Sequence, residues 1–140
     1  MINFGVAQYY LDPTAPIEAR VDSLLSKMTL DEKIGQMIQM EFAGLPSNSD
    51  IETYYLGSLL AYADNGPAGR TPQAWADLYD TLQSYALQTR LKIPMIFAVD
   101  AVHGFGAMYG ATVFPHNIGL GCTRNPQLVD TVAQITAKEM

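Results

Sequence analysis

The sequence predicts an α/β fold built from parallel βα units. Two observations support this class. Amphipathic helical stretches alternate with short apolar runs, in the order helix, strand, helix, strand, helix, and the loops after the runs are longer than the loops before them. In folds of this kind, residues with chemical roles follow the carboxyl ends of the strands.

The composition is that of one folded domain, residues 1–140, with a buried core. Hydrophobic residues make up 49% of the chain and charged residues 16%. The net charge of −6 argues against nucleic acid and against an anionic membrane as partners, and no apolar run approaches the roughly 20 residues needed to span a bilayer. The first six residues lack the features of a signal peptide, so we expect none.

The first elements are two consecutive helices. Residues 17–28 carry apolar side chains at helical spacing. Thr29 and Glu32 form a capping-box pattern, which predicts that a second helix begins after Thr29. Residues 37–42 fit either the end of this helix or a short strand. The side chains predicted to share the buried face of the first helix are Ile17, Val21, Leu24, Leu25 and Met28.

Two strands are predicted in the middle of the chain. Residues 58–62 form a brief apolar strand, between a short helix or edge segment at 51–55 and a polar loop at 63–70. Residues 94–99 are continuously apolar, which predicts a strand covered on both faces, as in a parallel sheet.

The two remaining helices are predicted from their starts. Thr71 and Asn125 are good N-caps, and each is followed by a proline, whose missing N–H costs nothing at the first helical position. Residues 100–123 form a long glycine-rich loop before the last helix. That helix still runs at Met140, so we expect the natural chain to continue. The predicted buried faces are Trp75, Leu78, Tyr79, Leu82, Tyr85 and Ala86 in one helix, and Leu128, Val129, Val132 and Ile135 in the other.

Asp100 is the strongest candidate site residue, because it lies where the predicted strand 94–99 ends. A carboxylate at this edge can accept hydrogen bonds from two sugar hydroxyls. It can equally bond to its own loop backbone, and the residues alone leave both interpretations open. Tyr62 and Tyr109 also fall near strand ends, where either could stack on a sugar ring or simply pack.

Both histidines follow Asp100 in the same loop. His103 and His116 could donate a proton or bind zinc, but an imidazole that ties a loop to its backbone is the commoner case. These three residues and Cys122, the only cysteine, match no usual metal-ligand spacing, so we predict no metal site. The segment 104–110 departs from the dinucleotide-binding pattern by one residue and no helix opens at its end, so we predict that it does not bind a dinucleotide.

Several segments resemble, in the same order, the family 3 glycoside hydrolases, which include β-glucosidases and β-glucan exohydrolases. Residues 93–104, Ile-Pro-Met-Ile-Phe-Ala-Val-Asp-Ala-Val-His-Gly, are similar to a characteristic strand and turn of that family. The resemblance runs over nearly the whole chain. The other similar segments are 20–25, 28–37, 57–60, 109–121 and 123–126.

The resemblance implies that the chain is the N-terminal part of a (β/α)8 TIM-type barrel, truncated before it closes. It implies retaining hydrolysis of terminal β-D-glucosyl residues from β-glucosides or β-glucan oligosaccharides, without a cofactor. Asp100 matches the aspartate that binds glucose hydroxyls, and His103 belongs to the same motif in a supporting role. The Asp nucleophile and the Glu acid/base would lie beyond Met140, in the missing C-terminal part of the same enzyme.

Two other hypotheses remain for this chain. It could be a carbohydrate-binding module that keeps Asp100 without catalysis, or an inactive gene fragment. Under the enzyme hypothesis the 140 residues alone are not expected to hydrolyse glycosides, because the resemblance assigns them no nucleophile. Localisation is left undecided, although members of the resembling family are often secreted or periplasmic.

Overall fold

The computed structural model describes residues 9–62 and 65–140. Within these residues, helices alternate with parallel strands, which confirms the predicted α/β class. Residues 63 and 64 of the predicted polar loop lie outside the described residues, as does the start of the chain, where we expected no signal peptide. In chain order the elements are a 3-10 helix Tyr9–Leu11, α1 (Ile17–Leu25), α2 (Leu30–Gln36), β1 (Gln39–Glu41), a 3-10 helix Phe42–Gly44, α3 (Asp50–Thr53), β2 (Ser58–Ala61), α4 (Pro72–Ala86), β3 (Ile96–Val99), α5 (Asn117–Cys122) and α6 (Pro126–Glu139).

The three strands form one parallel sheet in the order β1-β2-β3. Met40 aligns with Leu59, and Leu59 aligns with Phe97. Because side chains alternate between the two faces of a sheet, these three point to one face and their chain neighbours to the other. All three strands run in the same direction, so their carboxyl ends meet at one edge. No helix in the described residues is long and apolar enough to cross a membrane.

The helix starts follow the local sequence signals. The hydroxyl of Thr29 accepts from the Glu32 N–H at 3.2 Å, and the Glu32 carboxylate accepts from the Thr29 N–H at 2.8 Å, which completes the capping box. The side chain of Thr71 accepts from the Ala74 N–H and that of Asn125 from the Leu128 N–H, each at 3.1 Å, so they cap α4 and α6, and proline stands at the next position in both. These hydrogen bonds confirm the predicted helix starts. The starts could be predicted because a cap depends on residues only three positions apart.

One face of the sheet is covered by α4. Leu59 in β2 and Leu82 in α4 are fully buried and belong to one apolar cluster. Each such side chain stabilises the fold by roughly 1.5–3 kcal/mol relative to exposure. Trp75 is 7% exposed and lies 6.4 Å from Phe97, ring centroid to ring centroid. Trp75 is therefore a core residue, as predicted.

The amino edge of the sheet is held by side-chain hydrogen bonds. Gln83 in α4 donates to the carbonyl of Met95 and accepts from its N–H, at 3.1 Å for the latter. Glu32 pairs with Arg90 at 2.7 Å, and Arg90 also donates to the carbonyl of Lys27. The Glu32 side chain is only 6% exposed. The hydrogen bond from Arg90 is the main reason that the pKa of Glu32 lies below its usual range.

The prediction that the strand at 94–99 is covered on both faces is wrong. Ile96 is 69% exposed, and the rest of β3 is only partly buried. Ile96 aligns with Ser58 on the face opposite α4, and β3 is an edge strand of the three-stranded sheet. A continuous apolar run indicates that both faces suit burial, but the described residues cover only one of them.

The predicted buried faces of α1 and α6 are wrong for most of their members, and one member of the α4 face is also exposed. The helices themselves form, but the apolar stripe of each outer helix is largely open to solvent. A stripe shows which side of a helix can be buried, and it does not supply the partner that buries it. The exposed members are Ile17 (73%), Val21 (43%), Leu25 (46%), Tyr79 (44%), Leu128 (41%), Val129 (40%) and Ile135 (37%).

The predicted loop 100–123 is also corrected, because it contains the short helix α5. This helix has six residues, and Gly119 and Gly121 are two of them. Its N-cap residue, His116, makes no side-chain capping bond. The segment therefore lacks the composition and the start signal by which a helix is recognised in sequence.

Candidate functional site at the carboxyl edge of the sheet

A concave pocket of about 570 Å³ lies where the three strands end. Parallel α/β folds bind their ligands at this edge, because the loops there are free to vary while the strands hold them in place. Glu41 and Asp100 are the only charged side chains among the described residues of the lining, which makes the pocket acidic. The pocket is lined by Glu41, Ala43, Tyr62, Asn65, Asp100, Val102, His103, Gly104 and Gly106.

Asp100 lies on the rim of this pocket, directly after β3. Its backbone N–H donates to the carbonyl of Ala61 at 3.3 Å, so the parallel ladder extends as far as Asp100. Its side chain is exposed and makes no hydrogen bond to any residue in the described parts of the chain. The alternative that Asp100 only caps its own loop therefore has no contact to support it. The described residues therefore leave the acceptor sites of the Asp100 carboxylate unused.

His103 lines the pocket and ties its loop to a later segment. The Nδ1 atom of His103 lies 2.8 Å from the carbonyl oxygen of Phe114, and the Phe114 N–H donates to the His103 carbonyl at 2.8 Å. The His116 ring lies 4.3 Å from the His103 ring, centroid to centroid, at 53°. These contacts give His103 a means of holding the loop that forms one wall of the pocket.

The loop after Asp100 is fixed by a glycine and by apolar anchors. Gly104 has φ +101°, and a Cβ there would collide with the carbonyl oxygen of Thr112. Phe105 and Ala107 are buried beside Trp75, whose indole N–H donates to the Ala107 carbonyl at 3.3 Å. The glycine allows the sharp turn, and the anchors then keep the turn in one place.

Two polar residues that the sequence analysis did not select also line the pocket. Glu41 is the last residue of β1 and Asp100 directly follows β3, so both lie near the carboxyl ends of their strands. Because residues 37–42 fitted either a helix end or a short strand, the sequence did not predict that a strand ends at Glu41. Asn65 donates its amide to Glu41 Oε1 at 3.4 Å, and its Oδ1 accepts from the Tyr62 N–H at 2.7 Å. Glu41 and Asn65 therefore add two polar side chains to the pocket lining.

Not every predicted candidate is part of this pocket. Tyr62 lines it and is 37% exposed, whereas Tyr109 is 81% exposed and borders a separate depression beside Arg70. Cys122 is exposed and does not line the pocket. Among residues 9–62 and 65–140, no three His, Cys, Asp or Glu side chains are grouped as metal ligands would be.

Comparison with known proteins identifies the family. Residues 29–140 match the model described as the glycosyl hydrolase family 3 N terminal domain. The chain is 40% identical over 136 residues to a lysosomal beta glucosidase of Dictyostelium discoideum, and 31% identical over 142 residues to beta-glucosidase C of Emericella nidulans. It superposes on the crystal structure of an exo-1,3/1,4-beta-glucanase from a Pseudoalteromonas species with a TM-score of 0.77 and 38% identity.

The similarity covers most of this chain and a small part of each relative. The matched regions are 85% of the chain and 17% of the Dictyostelium protein, 93% of the chain and 23% of the Emericella protein, and 86% of the chain and 16% of the glucanase. The chain therefore spans less than a quarter of each of these proteins. Because the family model matches from Thr29 to Met140, the chain belongs to glycosyl hydrolase family 3, within its N-terminal domain.

Proposed function

We propose that the protein to which this chain belongs hydrolyses terminal non-reducing β-D-glucosyl residues of β-glucosides or β-glucans, and that the chain supplies part of the glucose-binding subsite. One observation carries the proposal. The Asp100 carboxylate stands exposed on the rim of the pocket at the strand ends, with no hydrogen bond to the described residues. The similar proteins, two β-glucosidases and an exo-glucanase, support the choice of substrate.

The chemistry of the pocket suits a neutral sugar. An ionised carboxylate accepts hydrogen bonds from hydroxyl groups, and such charge-assisted bonds are roughly twice as strong as those between neutral groups. The loop after Asp100 is fixed by its own contacts, so the Asp100 backbone keeps its position before the sugar arrives and less reorganisation is needed on binding. In this proposal Asp100 orients the glucosyl ring, and His103 keeps the adjoining loop in position.

The reactive groups are proposed to lie in the rest of the enzyme. Retaining hydrolysis needs a nucleophilic carboxylate and an acid/base about 5–5.5 Å apart, so that a glycosyl-enzyme can form and then be hydrolysed. We assign neither role to this chain. The parallel order β1-β2-β3 agrees with three successive strands of a (β/α)8 barrel, and we propose that further βα units continue from β3.

The test is Asp100→Asn in the complete gene product, purified free of host glucosidase and assayed with a nitrophenyl β-glucoside. The change keeps the shape and removes the charge, so kcat/KM should fall by about 30- to 1000-fold, equivalent to roughly 2–4 kcal/mol of transition-state stabilisation. Asp80→Asn is the matched control, because Asp80 is an exposed carboxylate on α4 that does not line the pocket.

Two outcomes would contradict the proposal. If Asp100→Asn and Asp80→Asn both retain wild-type kinetics, Asp100 does not contact the substrate. If the complete product binds cellobiose and releases no glucose from it or from the nitrophenyl glucoside, the protein is a carbohydrate-binding module. Calorimetric titration with cellobiose separates this second case from a protein that does not bind sugar at all.

A further inference from the structure

We propose that Glu41 is a second sugar-binding carboxylate, in the same pocket as Asp100, and that Asn65 is the residue that positions it. This inference rests on the proposed function and deepens it. It says that the glucosyl ring is held from two sides by residues of this chain, where the sequence resemblance assigned a ligand contact to Asp100 alone.

The register of the sheet places the two carboxylates on the same face. Glu41 aligns with Leu60, and Leu60 aligns with Ala98. Asp100 lies two residues after Ala98, and the backbone hydrogen bond to Ala61 continues the ladder to that point. Residues two apart on a strand point to the same face, so Glu41 and Asp100 share the face opposite α4.

The distance between them suits one pyranose. Two strand spacings separate Glu41 from Asp100 across the sheet and two residues separate them along it, which puts their Cα atoms about 12 Å apart. Both side chains stand on the same face of the sheet, on either side of β2. Because both residues line the same pocket, a single sugar ring between them can donate hydroxyl groups to both.

The environment of Glu41 differs from that of a structural glutamate in the same chain. The side chain of Glu32 is 6% exposed and is paired with Arg90 at 2.7 Å. Glu41 is exposed, and in the described residues its carboxylate has one contact, the 3.4 Å bond from Asn65 to Oε1. The carboxylate of Glu41 therefore has acceptor capacity that the fold does not use.

Asn65 is arranged to hold this carboxylate. Its Oδ1 accepts from the Tyr62 N–H at 2.7 Å, and its own N–H donates to the Tyr62 carbonyl at 3.3 Å. These two bonds fix Asn65 to the end of β2 and turn its amide group toward Glu41, at the end of β1. Asn65 thus limits the orientations of the Glu41 side chain without occupying Oε2.

The experiment compares Glu41→Gln and Asn65→Asp in the complete gene product. Glutamine keeps the size of Glu41 and removes its charge. Aspartate keeps the oxygen that accepts from Tyr62, but it replaces the donor to Glu41 with a second negative oxygen. Glu18→Gln, which removes an exposed carboxylate on α1 far along the chain from the pocket lining, is the matched control. Thermal unfolding of every variant checks that the fold is kept.

Two readouts are measured, kcat/KM for a nitrophenyl β-glucoside and the inhibition constant of free glucose. Glu41→Gln should lower kcat/KM about tenfold and raise the inhibition constant of glucose by a similar factor, because the lost contact is to the glucosyl ring itself. Asn65→Asp should raise KM and the glucose inhibition constant several-fold and change kcat less, with an unchanged unfolding temperature.

The outcomes separate this inference from the proposed function. If Asp100→Asn abolishes turnover while Glu41→Gln matches Glu18→Gln in both readouts, the second carboxylate is not a ligand, and the proposed function stands. If Glu41→Gln lowers kcat/KM but leaves glucose inhibition unchanged, Glu41 does not contact the glucosyl ring, and the inference fails. A lower unfolding temperature in Asn65→Asp, with unchanged KM, would make Asn65 structural only.

Discussion

The two edges of the small parallel sheet use their polar side chains in opposite ways. At the amino edge, Gln83 bonds to both backbone groups of Met95, and Glu32 is buried against Arg90. At the carboxyl edge, Asp100 and Glu41 are exposed carboxylates on the rim of a pocket.

This difference shows where the fold is stabilised and where it can act. A buried polar group must be paired within the protein, since leaving it unpaired costs about 1–3 kcal/mol. An exposed carboxylate carries no such requirement, so it can be kept for a ligand. Substitutions at the amino edge should therefore change stability, while substitutions of the pocket carboxylates should change binding. The following predictions test that division, in order of decreasing effect.

The largest effect is expected where the pocket itself depends on backbone geometry. In Gly104→Ala, the new methyl group meets the Thr112 carbonyl oxygen, at a φ of +101° that alanine disfavours. The free energy of unfolding should fall by about 3 kcal/mol or more. Trp75, the only tryptophan of the chain, packs against Phe105 at 5.2 Å, so its fluorescence during chemical denaturation reports on this loop.

Gly110→Ala is the control for Gly104→Ala. Gly110 also has a positive φ, +91°, but open space surrounds the position of its Cβ. Only the unfavourable backbone conformation should lower the free energy of unfolding in Gly110→Ala, by about 1 kcal/mol. Equal losses for the two variants would show that the contact with Thr112 does not restrain the loop, and that the pocket wall is held by its apolar anchors alone.

The next effect belongs to the amino edge. Gln83→Leu leaves the N–H and the carbonyl of Met95 buried without their partner, so the free energy of unfolding should fall by about 2–3 kcal/mol. Affinity for glucose should not change, because Gln83 lies at the opposite edge from the pocket. Gln88→Leu, an exposed position just after α4, should stay within about 0.5 kcal/mol of wild type. A weaker affinity for glucose in Gln83→Leu would contradict the expectation that amino-edge substitutions change stability alone.

The features that could be predicted from the sequence are those that depend on near neighbours in the chain. The capping box at Thr29 and Glu32 and the helix start at Thr71 need only residues a few positions apart. Asp100 was found because a long apolar run makes the end of β3 plain. Glu41 is the last residue of β1 and was missed, since three strand residues between a helix and a turn carry little periodic signal.

The exposed apolar faces could not be predicted, because burial depends on partners as well as on the residue. Ile96 and Ile135 have the sequence pattern of buried residues, yet both are exposed. Their pattern fits a larger assembly of βα units, in agreement with the small share of each relative that this chain spans. Asn65 was missed for a different reason. Its role follows from its contacts with Tyr62 and Glu41, and a polar loop gives no periodic signal for such contacts.

The smallest effect concerns the pH dependence of stability at the amino edge. The hydrogen bond from Arg90 lowers the pKa of Glu32 in the folded state, so the ionised form favours folding. That contribution is fully present above the ordinary glutamate range, near pH 4.3, and is lost as the pH falls through that range toward the lower folded value. Glu32→Gln should therefore destabilise the protein at pH 7 and differ less from wild type at pH 3.

Arg90→Gln sharpens the same test, because it removes the partner and keeps the glutamate. As in Glu32→Gln, the free energy of unfolding should then fall less than in wild type as the pH is lowered. Chemical denaturation at steps from pH 3 to pH 7 measures it. If the free energy of unfolding of Glu32→Gln and of Arg90→Gln falls with acid as that of wild type does, the Glu32–Arg90 pair does not stabilise this edge. The hydrogen bonds of Gln83 to the Met95 backbone would then be what stabilises it.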